Sequence, residues 1–529
     1  MMRGDGCAFA GMLILSTLLG CERSERDVAP PVAERCPSAS PSEPGLSLRH
    51  ARAAHAHEAR RHERRLFEAL RPGSTLRLLD SRLQEVMAEP RPCVAELQAA
   101  GRIVFEYEFD FASGLGSAAA AERSSGPFRR VQDGDGQGPD TTGCTSCHWR
   151  GGAAGAGAWA DNSLLLGDGD RVPSADARNP PALAGVAVVQ RLAEEMTAEL
   201  SLQRERALRR YANRGDQADD DADDGEMVEV ALSSKGVSFG RLLVDPEGQV
   251  DTSLVEGVDA DLVVRPFGWK GNFATLDEFI RESFHSHFGV QADALIAARN
   301  RVASPTLGDG PVEDPDGDGV ERELSDALLL SVITYLAGLP LPEVRPPAPT
   351  FEIDSAAEPL PAPTSRRFAT LWAEGQQQFQ QLGCASCHRP QMVLDDPLLH
   401  LSIGDHTVEL DLSGGPAGVG LTYDAELQGY PVWLFSDLKR HDLGKKNRSQ
   451  HEHRGVARQD YQTRRLWGLA DSAPYLHDGR APDVDSAIAG HDGEAAAVAE
   501  RYAGLPDEQQ AALRMYLLSL GRPWTLSVP

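Results

Sequence analysis

Positive charge is scarce in this chain: 52 Lys and Arg face 79 Asp and Glu among 529 residues, a formal net charge of −27. Binding to nucleic-acid phosphates needs clustered Lys and Arg. Composition therefore excludes a nucleic-acid partner, and an acidic surface suits solubility or a basic protein partner. No apolar run is long enough to cross a bilayer as a permanent helix, which takes about 20 residues. The nearest approach, Cys7 to Leu19 behind Arg3, has the length and flanks of an export signal.

That signal covers residues 1–20 and ends Leu18-Leu19-Gly20-Cys21, which is similar to the lipobox at which bacterial lipoproteins are cleaved and lipidated. Two readings follow. Either a lipid on Cys21 anchors an exported, periplasmic lipoprotein to a bacterial membrane, or the signal is an ordinary secretory one with an incidental cysteine. Export is expected in both. Of the eight cysteines, Cys7 leaves with the signal, Cys21 takes the lipid, four lie in two short motifs, and Cys36 and Cys93 are left over. An oxidising compartment allows a Cys36–Cys93 disulfide, although sequence does not show that the two are near each other.

Residues 21–45 are rich in Pro, Ser and Glu and read as a flexible tether. From 46 to 100 the composition shifts to Ala, Arg, His, Glu and Leu, a helical segment. His50, His55, His57 and His62 within it form either a solvated helix face or a surface metal site. A first domain spans 101–340, with an exposed insertion at about 196–262 tipped by the acidic run 213–226, which cannot fold on its own. Asp314-Pro-Asp316-Gly-Asp318-Gly319 sets carboxylates on alternate residues before a turn glycine, as short calcium loops begin. Ser325 stands where the bidentate Glu of such a loop belongs, so calcium and a plain acidic turn are both open. Eight prolines from Pro340 to Pro363 mark a linker at 341–364. A second domain, 365–529, opens with Phe368, Leu371, Trp372, Gly375, Phe379 and Leu382 at helical spacing. It closes on a helix capped by Asp507, with the apolar stripe Leu513, Tyr516, Leu517 and Leu520.

The two motifs are Cys144-Thr-Ser-Cys147-His148 and Cys384-Ala-Ser-Cys387-His388. In Cys-x-x-Cys-His the two thiols form thioethers to the haem vinyl groups, and the histidine lies under the iron as its proximal ligand. At this chain's Cys and His frequencies chance supplies about 0.003 such matches, and there are two. A zinc site is the poorer alternative, because the motifs lie 240 positions apart in an exported chain. Two covalently bound c-type haems are the expected cofactors, one per domain.

The residues around the motifs resemble the bacterial di-haem cytochrome c peroxidase superfamily, above all its di-haem oxidoreductase (thiol oxidoreductase-like) branch. The resemblance covers roughly 100–195 and 260–525. It is carried by Gly383-Cys-Ala-Ser-Cys-His388-Arg-Pro390-Gln-Met392, Phe435-Ser-Asp-Leu-Lys-Arg-His441-Asp-Leu-Gly444, Arg465-Leu-Trp467-Gly468 and Ser472-Ala-Pro-Tyr475-Leu-His477-Asp-Gly479-Arg480. In the first half the matching residues are Asn179-Pro-Pro-Ala-Leu183 and Phe267-Gly-Trp269-Lys, with Thr275 beyond. With the terminal helices it implies a mainly α fold, two cytochrome c-like haem domains with an extra N-terminal helical segment.

The resemblance also implies roles. Trp269 matches the tryptophan that lies between the haems and relays electrons, a core aromatic being the alternative. His491, fourteen residues after His477, stands where relatives have the methionine ligand of the second haem. His287, or His285 beside it, stands where a distal glutamate is found at the first. Leu443 replaces a methionine of the branch, and Arg464, Arg465 and Arg480 match either propionate partners or surface charges. Three functions fit: a hydrogen peroxide reductase with electron entry at the second haem, a di-haem oxidase acting on a protein or organic substrate, or a tethered electron carrier. The implied donor is a small redox protein or a quinol-linked one.

Overall fold

The computed structural model describes residues 75–89, 92–116, 131–133, 139–214, 227–245, 247–302, 313–342, 366–414 and 418–521. The signal and tether, Cys21, Cys36, the four N-terminal histidines, residues 215–226 of the acidic run and most of the Pro-rich linker lie outside these. Cys93 is disulfide-bonded to a cysteine that also lies outside them.

The mainly α, cytochrome c-like expectation is corrected. Helix amounts to 39% and strand to 18%, and the strands form five small sheets among the described residues. The physical reason lies in two stretches of alternating apolar residues. Val228–Ser234 pairs with Val237–Val244, which also takes up Val250–Asp251, and Leu232, Phe239, Leu242 and Val244 point inward with at most 1% exposure. Period-two alternation gives a strand one buried face. The 196–262 stretch is thus no loose excursion: it starts inside the long helix Val186–Arg214, whose Met196 and Leu200 are fully buried, and its sheet packs back on that helix. Leu398–Ile403 and His406–Asp411 form a second hairpin of the same kind.

Helices do the positioning. Val94–Glu106 packs on Asp326–Ala337, and Arg366–Gln381 packs on Asp507–Leu518. Each pair crosses at a glycine. A Cβ on Gly101 would lie 1.9 Å from the Ser331 carbonyl oxygen, and one on Gly375 would lie 2.1 Å from that of Ala512. Only a residue without a side chain lets the backbones approach so closely. Leu513, Tyr516, Leu517 and Leu520 are buried as their spacing predicts, but the cap differs: Pro506 occupies that position and Asp507 lies in the first turn, where its charge faces the positive helix end.

The two halves interlock. One apolar cluster runs from Leu76 through Leu330 to Leu410 and Trp467, and Asn179 N donates to His477 O at 2.7 Å. No helix among the described residues is long and apolar enough to cross a membrane.

Candidate functional site: two cavities with a shared wall

Both Cys-x-x-Cys-His motifs fold into the same tight turn, Cys144–Ser146 and Cys384–Ser386. His148 N donates to Cys144 O and His388 N to Cys384 O, each at 2.9 Å, which brings each imidazole beside its two thiols. Each ring is then oriented by a backbone carbonyl: His148 Nδ1 donates to Gly155 O at 3.1 Å, and His388 Nδ1 to Phe435 O at 3.2 Å. A proton fixed on Nδ1 leaves the Nε2 lone pair for a metal. Burial pushes both imidazoles down to about 4, so they are neutral and ligand-competent. Phe435 presents its carbonyl from a left-handed backbone, φ +55°, an uncommon state for a bulky residue, which gives the 435–444 motif a physical reason.

The second cavity, about 290 Å³, is lined by Cys384, Cys387, His388 and His491. His491 follows the helix Val484–Ala489, and its Nδ1 donates to Ala487 O at 2.9 Å, so its Nε2 is free as well. The His388 and His491 ring centres lie 6.4 Å apart at 64°. Two metal–imidazole bonds of about 2 Å each, plus the step from nitrogen to ring centre, come to roughly that distance. Leu443 lines this cavity too.

The first cavity, about 170 Å³, is lined by Cys144, Cys147, His148 and His287. His287 sits in the π-turn Phe284–Phe288, a wide turn common at functional sites. Its Nδ1 lies 3.2 Å from both oxygens of the buried Asp140 and 3.3 Å from Ser163 Oγ. Burial opposes charge on this ring, but the Asp140 charge and hydrogen bond outweigh it and raise its pKa. His285 lines neither cavity, whereas His453, from the other half of the chain, lines the first. Nothing local in the sequence signals His453 or Asp140.

Trp269, Asn179, Pro180, Pro181, Arg464 and Arg465 line both cavities. Trp269 Nε1 donates to Asn179 O at 2.8 Å, and the Arg464 guanidinium lies 4.6 Å from the indole centre. Arg464 and Arg465 are bonded to the carbonyls of Gly268 and Ala182 and form no ion pair among the described residues. Burial pushes them down to about 9 and 10. Two half-buried guanidinium groups without a carboxylate call for an anion, which haem propionates would supply. Arg480 is engaged elsewhere, with Asp478 at 2.8 Å, and lines neither cavity.

Asp314, Asp316 and Asp318 lie on a loop that lines neither cavity.

Paired turns, neutral imidazoles with free Nε2 atoms and half-buried cations in the partition fit two haems, one per cavity, in a two-centre redox protein. Residues 353–520 match the model of the family described as "Di-haem oxidoreductase, putative peroxidase". Over these residues, which include the second Cys-x-x-Cys-His turn, the chain is similar to that family, in keeping with a di-haem oxidoreductase. None of the curated proteins compared matches the chain.

Proposed function

We propose that the protein is an exported c-type di-haem peroxidase that reduces hydrogen peroxide at the first centre and takes up electrons at the second. Cys144 and Cys147, and Cys384 and Cys387, would hold the haems as thioethers, with His148 and His388 as proximal ligands and His491 as second axial ligand. When bound, the haems supply the redox chemistry that splits the O–O bond. Lipid on Cys21 and export rest on the sequence reading.

The chain's own residues divide the work. Asp140 holds the neutral His287 ring in one tautomer and raises its proton affinity. A side chain so held can take a proton from one oxygen of the peroxide and return it to the other. Trp269 fills the partition with a polarisable ring between the two cavities. Arg464 and Arg465 hold negative charge next to it.

The observation that carries this reading is the asymmetry of the cavities. In the second, two neutral imidazoles face each other across 6.4 Å, a closed arrangement suited to electron transfer. In the first, the additional ring at His287 is tied to a carboxylate at 3.2 Å, which suits proton transfer. Steady-state oxidation of a reduced small redox protein by hydrogen peroxide tests it: turnover in the wild type that falls by roughly two to four orders of magnitude in His287→Ala supports the assignment. Turnover of an organic reductant with no response to peroxide would point to the oxidase reading instead.

A further inference from the structure

Lys270 has no part in the proposed chemistry, yet it lines the first cavity and is only 1% exposed. Its Nζ donates to three backbone carbonyls of the second half: Ala457 at 3.0 Å, Arg458 at 2.8 Å and Asp460 at 2.9 Å. Those bonds use every proton an ammonium has. The cation thus fastens a segment of chain. Ser449 N donates to Arg458 O at 2.9 Å, which closes residues 449–458 at their base into a strap.

The strap is tied to the first half along its length. Arg178 donates to Ser449 Oγ at 2.9 Å, and the buried Asp176 accepts Gln450 N at 2.6 Å and His451 N at 3.3 Å. At the tip His453 and Val456 pair across Arg454 and Gly455, whose φ values of +50° and +78° make a tight turn. That backbone is uncommon for arginine, and here it is held from outside. The Arg454 guanidinium donates to Glu282 Oε2 at 2.7 Å and lies 4.5 Å from the Phe273 ring centre. Glu282 Oε1 accepts the Ser286 hydroxyl at 3.0 Å, one residue before His287. The tip is therefore clamped to the segment that carries His287.

Of the strap's residues only His453 lines the first cavity. His148 and His287, the other histidines of this cavity, each have Nδ1 committed to a protein oxygen. The His453 ring makes no hydrogen bond or ion pair among the described residues. Burial, and after it the charges of Arg178 and Arg454, push it down to about 4, so it is neutral. A neutral imidazole offers one N–H and one lone pair, and both are uncommitted here. The ties of the strap thus bring to the cavity a polar ring that no part of the protein uses.

We infer that His453 binds the small ligand of the first centre, the strap holding its ring so that the N–H donates a hydrogen bond to hydrogen peroxide in the cavity. This rests on the reading of the first cavity as the peroxide site. His287, engaged by Asp140, moves the proton; His453, supplied by the other half of the chain, holds the molecule that carries it.

The holoprotein is titrated with potassium cyanide, followed by the visible spectrum of the first centre, and the resting state is recorded by electron paramagnetic resonance. Loss of one hydrogen bond to the bound ligand should raise the cyanide Kd about tenfold in His453→Ala and in the space-filling His453→Leu. His453→Gln, which keeps an N–H donor, should recover most of the affinity, and Arg454→Ala, which frees the tip, should weaken it in the same direction as His453→Ala. Resting spectra should match the wild type in all four. An unchanged Kd in His453→Ala and His453→Leu overturns the assignment. So does a resting centre that turns from low spin to high spin in them, which would make His453 an iron ligand. Undiminished affinity in Arg454→Ala overturns the part given to the strap. A wild type that neither binds cyanide nor responds to peroxide overturns the reading of the first cavity as the peroxide site, and this assignment with it.

Discussion

His388 and His491 face each other across the second cavity with ring centres 6.4 Å apart, each with its Nδ1 tied to a backbone carbonyl and its Nε2 free. Exchanging a methionine thioether for an imidazole lowers the potential, because methionine ligation raises it. His491→Ala should therefore convert one low-spin centre to high spin, read by electron paramagnetic resonance. The wild type should lack the near-infrared band of His/Met ligation. Spectra that are unchanged by the substitution would remove His491 from the iron.

Trp269 lines both cavities and is pinned by its Nε1 bond to Asn179 O at 2.8 Å. Trp269→Phe keeps an aromatic ring and loses that one bond, about 1 kcal/mol, so the fold should survive. Peroxide turnover with a reduced donor should fall while melting shifts by only a few degrees. Unaltered turnover would end the relay assignment.

Much of this was legible for local reasons. A Cys-x-x-Cys-His turn is made by residues adjacent in the chain, so its chemistry can be read without the fold. The apolar stripe from Leu513 to Leu520 was legible because one helix face repeats every three to four residues. What the sequence hid depends on contacts between distant segments. Asp140 reaches His287 across 147 positions, and His453 enters the first cavity from the other half of the chain. The strands were less legible for another reason: Val228–Ser234 and Val237–Val244 alternate plainly, but they follow directly on an acidic run that has no apolar pattern of its own.

The glycine crossings make a packing prediction. Gly375→Ala places a methyl group 2.1 Å from a backbone oxygen of the partner helix, which cannot move without shifting that helix. Overpacking of this kind costs about 1–3 kcal/mol, so thermal unfolding should move down by several degrees. Melting unchanged in both Gly375→Ala and Gly101→Ala would show that the helix pairs are not tightly engaged.

His441 lies between Asp437, 2.8 Å from its Nε2, and Glu494, 2.7 Å from its Nδ1. Burial works against its charge, yet the hydrogen bond to Asp437 leads the opposing effects and it is pushed up to about 11, with the Cys387 thiol contributing. A thioether at Cys387 removes that last share. The folded pKa lies above the unfolded value of about 6.5, so folding takes up a proton. The resulting stability is complete below about pH 6.5 and declines as pH rises towards the folded value. The melting difference between wild type and Asp437→Asn should thus be largest near pH 6 and shrink towards pH 10; a constant difference would contradict the pairing.

The division of labour between the centres is tested most directly by adding stoichiometric hydrogen peroxide to the purified protein, oxidised and half reduced, and recording its visible and electron paramagnetic resonance spectra. The account predicts a high-spin signal from the first centre that peroxide consumes, while the second centre stays low-spin and changes only its oxidation state. Two low-spin centres that ignore peroxide in both states would contradict it.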